Sequence, residues 1–305
     1  MPIIAIVNLV LFAALLSLLY QFSKNSAFTL SRRVFMGLIG GIVFGMYLQG
    51  AFGGNAEVMG STLEWTNVVA NSYVALLRMM IMPLILITMI AAVLKVEEIK
   101  SLGKIGGTVV GTLIVTTVIA ALVGITIALL FGLNAGDLAG GEVEMARAEV
   151  LQARQGSVAD LSLAELLVSF VPSNIFSDLA GPRSMSIIGV VVFGLIFGVA
   201  ALLVAEDNAD QGKRIRGAVD TLQAIIMRLV KLVMALTPYG VLALMTRVIA
   251  TSDGEAIRNL ISFVIASYIA IVIMFAIHAA IIIGLGANIK TYFQKVWPVL
   301  TFAFV

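Results

Sequence analysis

The chain has 305 residues, of which 61% are hydrophobic and only 12% charged, with a mean hydropathy of +1.10 and a formal net charge of +2. Soluble domains carry about 25% charged residues, so this composition excludes a wholly water-exposed protein and predicts an integral α-helical membrane protein, not a barrel of short alternating strands. The small net charge argues against a nucleic-acid partner, and the absence of cysteine excludes disulfides and thiol chemistry.

The first two apolar runs cover residues 3–22 and 34–50. The first lacks a basic segment before it, which predicts a retained helix and not a signal peptide. The second carries Gly37, Gly41 and Gly45, a spacing that lets two helices approach closely. This glycine face is consistent either with dimerisation or with packing inside the chain.

The third apolar run, residues 66–94, follows an acidic segment (51–65) that we predict to be a loop. Pro83 lies inside the run. Because proline cannot donate a backbone hydrogen bond, we expect it to free a carbonyl and kink the helix there.

The fourth run, residues 105–133, is rich in threonine. Thr108, Thr112 and Thr116 are four residues apart and therefore share one helix face, and Thr117 follows directly. Hydroxyl groups in lipid usually bond to the carbonyl one turn earlier, but they also coordinate hard cations together with carbonyl oxygens. From the residues alone, a hydrogen bond to the preceding turn is the favoured role of these hydroxyl groups.

Residues 134–165 are acidic and predict a surface loop, with or without a short helix, and residues 161–171 are apolar but too short to span a membrane. VPSNIFSDLAG (171–181) is a turn-rich break before the fifth run at 187–205. The sixth stretch, residues 218–249, contains Arg228 and Lys231. These charges predict that its first half is amphipathic and lies near the membrane interface.

Pro238 is predicted to break that sixth stretch at the sequence TPYG. The seventh run, residues 260–285, contains His278, the only histidine, as a candidate proton relay or, by the simpler interpretation, a packed neutral side chain. An eighth apolar run begins within KTYFQKVWPVLTFAFV (290–305).

Basic residues predict the orientation of the chain. If successive loops alternate between the two sides of the membrane, one side holds eleven basic residues and the other holds four. The eleven are Lys24, Arg32, Arg33, Lys95, Lys100, Lys104, Lys213, Arg214, Arg216, Lys290 and Lys295; the four are Arg147, Arg154, Arg183 and Arg258. The first side is expected to be cytoplasmic, which places the N-terminus outside.

No sequence signature of an enzyme is present. The chain has neither H-E-x-x-H nor G-x-S-x-G nor a Walker loop. We therefore expect no enzymatic activity, no metal and no cofactor. Proline-interrupted helices favour a transporter, although a channel or scaffold subunit fits the pattern nearly as well.

Four motifs together resemble the dicarboxylate/amino-acid:cation symporters, the glutamate-transporter-like family. They are LLRMMIMPLILITMIAAVLKVEEIKSLGKIGG (76–107), VPSNIFSDLAG (171–181), LTPYGVLALM (236–245) and KVWPVLTFAF (295–304). The resemblance covers most of the chain from residue 30 onward, in the family's order. ALTPYGVLALMTRVIA and KVWPVLTFAFV look closest to the bacterial L-cystine uptake branch, whose members carry an extra N-terminal helix such as residues 3–22.

The resemblance implies an all-α polytopic membrane protein with a glutamate-transporter-like elevator fold. It implies uptake of an amino acid, L-cystine, by symport with Na⁺ or H⁺ in a homotrimer of the bacterial inner membrane. The expected division is an extra N-terminal helix and linker (1–33), scaffold helices (34–104 and 186–249), a transport-domain helix (105–133), an extracytoplasmic loop region (134–185), and a transport-domain helix with the start of a re-entrant hairpin (250–305).

The resemblance also implies where the sites lie. The family's first re-entrant hairpin has a serine-rich turn just after the match to TFAF, so the substrate-binding residues are expected beyond residue 305. The 305 residues alone are accordingly expected not to transport. A tyrosine, a threonine and a serine bind one cation in sodium-coupled members; the last two align with Thr116 and Thr117, whereas the tyrosine position holds Leu113. The alternative is a non-transporting scaffold or oligomerisation subunit.

Overall fold

The computed structural model describes residues 2–24, 28–96, 99–133, 162–181, 183, 185–252, 254–286 and 288–303. Within these ranges the regular secondary structure is entirely α-helical. The helices are α1 (Ile3–Lys24), α2 (Leu30–Phe52), α3 (Ala56–Leu94), α4 (Ile99–Leu130), α5 (Leu163–Ser169), α6 (Ile175–Ala180), α7 (Ser186–Asp207), α8 (Ala209–Met234), α9 (Thr237–Thr251), α10 (Gly254–Gly284) and α11 (Ile289–Ala303).

Six of these helices are long and apolar enough to cross a membrane: α1, α2, α3, α4, α7 and α10. Helices α8 and α9 pass the same test together as a pair bent by 46°, which counts as a seventh span if the pair crosses the membrane as one unit. The prediction of a polytopic α-helical membrane protein is therefore confirmed. The seven predicted apolar segments correspond to these seven spans.

Several helices begin outside their apolar runs. Helix α3 starts at Ala56, so the prediction of a loop over residues 51–65 is wrong for most of that segment. The Asn55 side chain accepts a hydrogen bond from the Val58 N–H at 3.1 Å and so caps the helix. Helix α4 likewise starts at Ile99. A helix ends where its backbone hydrogen bonds end, and charged side chains can occupy turns that project beyond the apolar run.

Helix α3 continues without interruption through Pro83. The predicted break at Pro238, in contrast, is confirmed, because α8 ends at Met234 and Pro238 lies in the first turn of α9, where its missing N–H costs nothing. Tyr73 of α3 lies against this break and donates a hydrogen bond to Thr237 Oγ1 at 3.0 Å. The bend is thus fixed by a buried contact with α3.

The glycine face of α2 packs against α9. A Cβ added at Gly37 would overlap the backbone oxygen of Pro238, and one added at Gly41 would lie 2.5 Å from the Leu242 oxygen. At Gly45 the added Cβ would lie 2.7 Å from a side-chain atom of α9. The glycines therefore serve packing inside the chain, as one of the two interpretations proposed. Dimerisation through this face is wrong for the folded chain, because the face is already occupied.

A buried polar contact joins α1 to α2 and α3. The Asn8 side chain is fully buried and donates to Thr62 Oγ1 at 3.4 Å, while the Tyr47 hydroxyl donates to Asn8 Oδ1 at 3.3 Å. Thr62 in turn donates to the Val58 carbonyl at 2.8 Å. Every polar atom of this contact therefore has a partner, as burial requires.

The helices fall into two packing groups. In the first, α1, α2, α6, α7, α8 and α9 pack around the long helix α3. In the second, α4 packs against α10, and α10 packs against α11. Much of the apolar surface of the second group is exposed, for example at Leu113, Ile125 and Val272.

Candidate transport site

The threonines of α4 bond to their own helix. Thr112 Oγ1 donates to the Thr108 carbonyl at 2.8 Å, and Thr116 Oγ1 lies 2.9 Å from the Thr112 carbonyl and 3.1 Å from the Leu113 carbonyl. Thr116 is half-buried and Thr117 is exposed. The structural role that the residues alone favoured is therefore observed for Thr112 and Thr116.

These hydrogen bonds leave a cation-binding role open. A hydroxyl that donates its hydrogen to a carbonyl still has lone pairs on its oxygen, which can face a hard cation. Two hydroxyls are too few ligands for Na⁺, and Leu113, at the position of the family's tyrosine, supplies none. No group of three or more acidic or histidine side chains that could hold a metal lies among the described residues. Cation binding by Thr116 and Thr117 stays a prediction.

His278 is exposed on α10, and its Nδ1 lies 2.8 Å from the Met274 carbonyl oxygen. Because a carbonyl oxygen only accepts, Nδ1 carries the hydrogen in this contact. Within the described part of the chain no acidic side chain forms an ion pair with His278. The proton-relay interpretation gains no support from this geometry.

Sequence reasoning missed an ion pair between Asp178 and Arg183. Arg183 Nε donates to Asp178 Oδ1 at 2.8 Å and Nη2 donates to Oδ2 at 2.6 Å, so the pair is bidentate. The Asp178 side chain is fully buried. Arg183 Nη1 also reaches the Ser169 carbonyl at 3.4 Å, and the Arg183 N–H donates to Ser186 Oγ at 3.0 Å.

The turn that forms this pair depends on glycine in two places. Gly181 ends α6 with φ of 75°, a conformation in which other residues are strained. A Cβ added at Gly189 of α7 would lie 2.9 Å from Asp178 Oδ2. The signal in the sequence was an acidic and a basic residue on either side of a Gly-Pro dipeptide, which predicts a turn but not which side chains meet across it.

Short helix α5 precedes this turn and has a complete capping box. The Ser162 side chain accepts from the Glu165 N–H, and the Glu165 carboxylate accepts from the Ser162 N–H at 2.8 Å. The Ser162 N–H and the Ser162 hydroxyl both donate to Glu165 Oε2, and these two hydrogen bonds lower the pKa of Glu165 below its ordinary value. The segment after the acidic stretch is therefore ordered helix and not an open loop.

Comparison with known proteins gives two further findings. Residues 30–305 match the family described as the sodium:dicarboxylate symporter family. The chain is also similar over nearly its whole length to an "uncharacterized symporter" of Haemophilus influenzae (42% identical over 299 residues, 98% of this chain and 67% of the relative).

Two further relatives carry the name L-cystine uptake protein TcyP. The protein of Bacillus licheniformis is 41% identical over 304 residues, which is 100% of this chain and 66% of the relative. The protein of Bacillus subtilis is 41% identical over 295 residues, which is 97% of this chain and 63% of the relative. The chain thus spans about two thirds of the length of the curated relatives it matches.

The family match covers nine tenths of the chain and includes every motif on which the resemblance was based. The relatives align from α1 onward, so the helix before residue 30 is shared with them as well. The chain therefore belongs to the sodium:dicarboxylate symporter family.

Proposed function

We propose that the chain belongs to a secondary active transporter that takes up L-cystine by symport with Na⁺ or H⁺. The observation that carries this proposal is the 41% identity over the whole chain to proteins named for L-cystine uptake. The bent pair of α8 and α9, which breaks next to Pro238, supports a transporter.

The two packing groups support an elevator mechanism within a homotrimer. Helices α2, α3, α7, α8 and α9 share close backbone contacts through glycine, as expected of a rigid scaffold. Helices α4, α10 and α11 pack mainly on one another, as expected of helices that move as one body. We assign the first set to the scaffold and the second to the transport domain, in the inner membrane of a bacterium.

The activity is tested by uptake of radiolabelled L-cystine into proteoliposomes. The protein as encoded by its whole reading frame is compared with a protein of residues 1–305 alone. Saturable uptake by the whole protein that excess unlabelled cystine abolishes is the expected result. Saturable uptake of another amino acid, with no competition by cystine, would assign a different substrate.

A second candidate function is a non-transporting scaffold or oligomerisation subunit. It is the alternative that the sequence left open. Under this hypothesis the 305-residue protein assembles but takes up no cystine. Saturable uptake by that protein would exclude this hypothesis.

Cation binding by Thr116 and Thr117 is tested in the whole protein. Thr116→Val and Thr117→Val each remove one oxygen ligand, so the Na⁺ concentration for half-maximal uptake should rise about tenfold, equivalent to about 1.4 kcal/mol. Thr116→Ser and Thr117→Ser keep the hydroxyl and should behave as the parent.

Thr112→Val is the matched control, because Thr112 lies one turn away on the same helix and makes the same kind of hydrogen bond to it. An equal effect of Thr112→Val would indicate a general loss of helix structure. Uptake that depends on the proton gradient and not on the Na⁺ concentration would exclude Na⁺ as the coupling ion. It would also exclude Na⁺ binding by Thr116 and Thr117.

A further inference from the structure

The α1–α2 junction, which comprises Lys24 and residues 28–33, carries basic residues without acidic ones. Lys24 ends α1, and Arg32 and Arg33 lie in the first turn of α2. No acidic residue precedes Glu57 in the sequence, and the apolar part of α3 and helix α9, which both pack on α2, contain none either. The helices that meet at this junction therefore supply no carboxylate to balance its positive charge.

The two arginines do not stabilise the start of α2. The N-terminal end of a helix carries a partial positive charge, so acidic side chains are favourable there and basic ones are unfavourable. The cap of α2 is instead Thr29, whose side chain accepts a hydrogen bond from the Arg32 N–H at 3.5 Å. Helix stability therefore does not explain the positive charge at this position, whereas an anion bound from outside the helix would.

Aromatic rings bring the two helix ends together and set the depth of Lys24. The Phe22 and Phe28 ring centroids lie 5.0 Å apart, so the end of α1 contacts the residues before α2. Lys24 turns back along α1, and its Nζ lies 4.7 Å from the centroid of the Tyr20 ring. Tyr20 is 54% exposed, and tyrosine at the end of a membrane span lies at the level of the lipid headgroups. The ammonium group is thus held at the depth of the lipid phosphates.

An apolar stripe runs along α2 from Arg32. Phe35, Ile39, Val43 and Met46 follow Arg32 at spacings of three and four residues, which places them on one helix face. Their side chains are between 49% and 62% exposed. The stripe covers about 16 Å along the helix, which is about half of the hydrocarbon core and therefore the depth of one leaflet. A cation at the head of such a stripe matches a phospholipid, with its phosphate at the surface and its acyl chain below.

We infer that the α1–α2 junction binds an anionic phospholipid of the leaflet expected to be cytoplasmic. Lys24 and Arg32 contact the headgroup phosphate, and the exposed stripe of α2 contacts an acyl chain. Helix α1 with Lys24 precedes the residues that match the family, 30–305, so half of this site lies outside the part of the chain that defines the family. The inference uses neither the substrate nor the coupling ion, so it stands or fails separately from the proposed transport activity.

The test measures which lipid lies beside position 35. The protein encoded by the whole reading frame carries Phe35→Cys labelled with the fluorophore bimane; the 305 residues contain no cysteine, and any cysteine elsewhere is replaced by serine. The vesicles contain phosphatidylcholine and phosphatidylglycerol, and only one of the two lipids has brominated acyl chains, which quench the label on contact. At the same lipid composition, brominated phosphatidylglycerol should quench position 35 several-fold more strongly than its mole fraction predicts.

A label at the opposite end of α1 is the control for position. Ile6 is 49% exposed and lies far along α1 from Lys24, so Ile6→Cys should show no preference for phosphatidylglycerol. The absence of a preference at position 35 as well would overturn the inference. Inorganic phosphate in the buffer should leave the preference at position 35 unchanged. Its loss on addition of phosphate would identify a site for soluble anions and would exclude the lipid as the specific ligand.

Charge variants of the labelled protein test the two basic residues. Lys24→Gln and Arg32→Gln should each lower the preference for phosphatidylglycerol about fivefold, whereas Lys24→Arg and Arg32→Lys keep the charge and should retain it. Arg214→Gln, at an exposed basic residue of α8 on the same side, is the matched control and should have no effect. Unchanged preference in both glutamine variants, or an equal loss in Arg214→Gln, would assign the preference to the overall positive charge of that side and overturn the inference.

Discussion

At the scale of single residues, glycine decides how closely α2 approaches α9. Gly41 of α2 faces the backbone of α9 with no room for a methyl group, whereas Gly50 on the same helix has no atom within 4 Å of an added Cβ. The two positions differ in their neighbours and not in their secondary structure. The same substitution at Gly41 and at Gly50 therefore separates the effect of packing from the effect of helix propensity.

We expect Gly41→Ala to destabilise the protein by about 1–3 kcal/mol, the usual cost of forcing extra volume into a packed interface. Gly50→Ala should be neutral or stabilising by up to about 1 kcal/mol, because alanine favours the helix. Thermal unfolding in detergent measures both. Equal shifts of the midpoint in the two variants would show that the contact with α9 does not decide stability.

The polar contacts differ in how well the sequence predicts them. The hydrogen bonds of Thr112 and Thr116 to the preceding turn were predictable, because a hydroxyl in an apolar helix has few other partners. The Asp178–Arg183 pair was not, because it depends on a left-handed glycine and on the approach of α7.

At the scale of helices, α1 is held by a single polar contact within an apolar interface. Asn8 is the buried polar residue of α1, while Phe12 and Leu19 pack in the core beside it. A lone polar residue in such an interface fixes the register of packing, because a shift by one turn leaves it without partners. Asn8 should therefore set where α1 docks.

We expect Asn8→Leu to cost about 1–3 kcal/mol, because the Tyr47 hydroxyl loses its buried acceptor. Thr62 remains satisfied by the Val58 carbonyl. Tyr47→Phe removes the unpartnered hydroxyl, so the double variant should be less destabilised than the sum of the two single variants. Thermal unfolding midpoints test this, and strictly additive losses would show that the two side chains are not coupled.

Apolar runs predicted which helices exist but not where they end. The seven predicted segments correspond to the seven spans, because about 20 apolar residues are needed to cross a bilayer in any fold. The ends depend instead on caps such as Asn55 and on packing beyond the membrane, which hydropathy does not measure. Helix α6 lies within the stretch predicted as a turn-rich break and was missed for the same reason, since an ion pair at Asp178 and the cap at Asn174 hold it.

At the scale of the whole molecule, side-chain contacts define two ends of the first packing group independently of charge. At one end Gln49 near the end of α2 donates to the Ser252 carbonyl just after α9. At the other end Gly212 at the start of α8 packs against Ala205 near the end of α7. The turn around Gly54 therefore lies at the same end as Ser252, and the loop before α8 lies at the opposite end.

The distribution of basic residues assigns these ends to the two sides of the membrane. Lys95 and Lys213 belong to the side with eleven basic residues, which we expect from the positive-inside rule to be cytoplasmic. Gly54→Cys should accordingly react with a membrane-impermeant maleimide in intact cells. Lys95→Cys and Lys213→Cys should react only after the membrane is permeabilised.

The parent sequence gives no background in this labelling experiment, because its 305 residues contain no cysteine. Position 54 tolerates the change, since no atom lies within 4 Å of an added Cβ there. The reverse labelling pattern would invert the orientation. Labelling of positions 54 and 95 from the same side would contradict α3 (Ala56–Leu94) as a span.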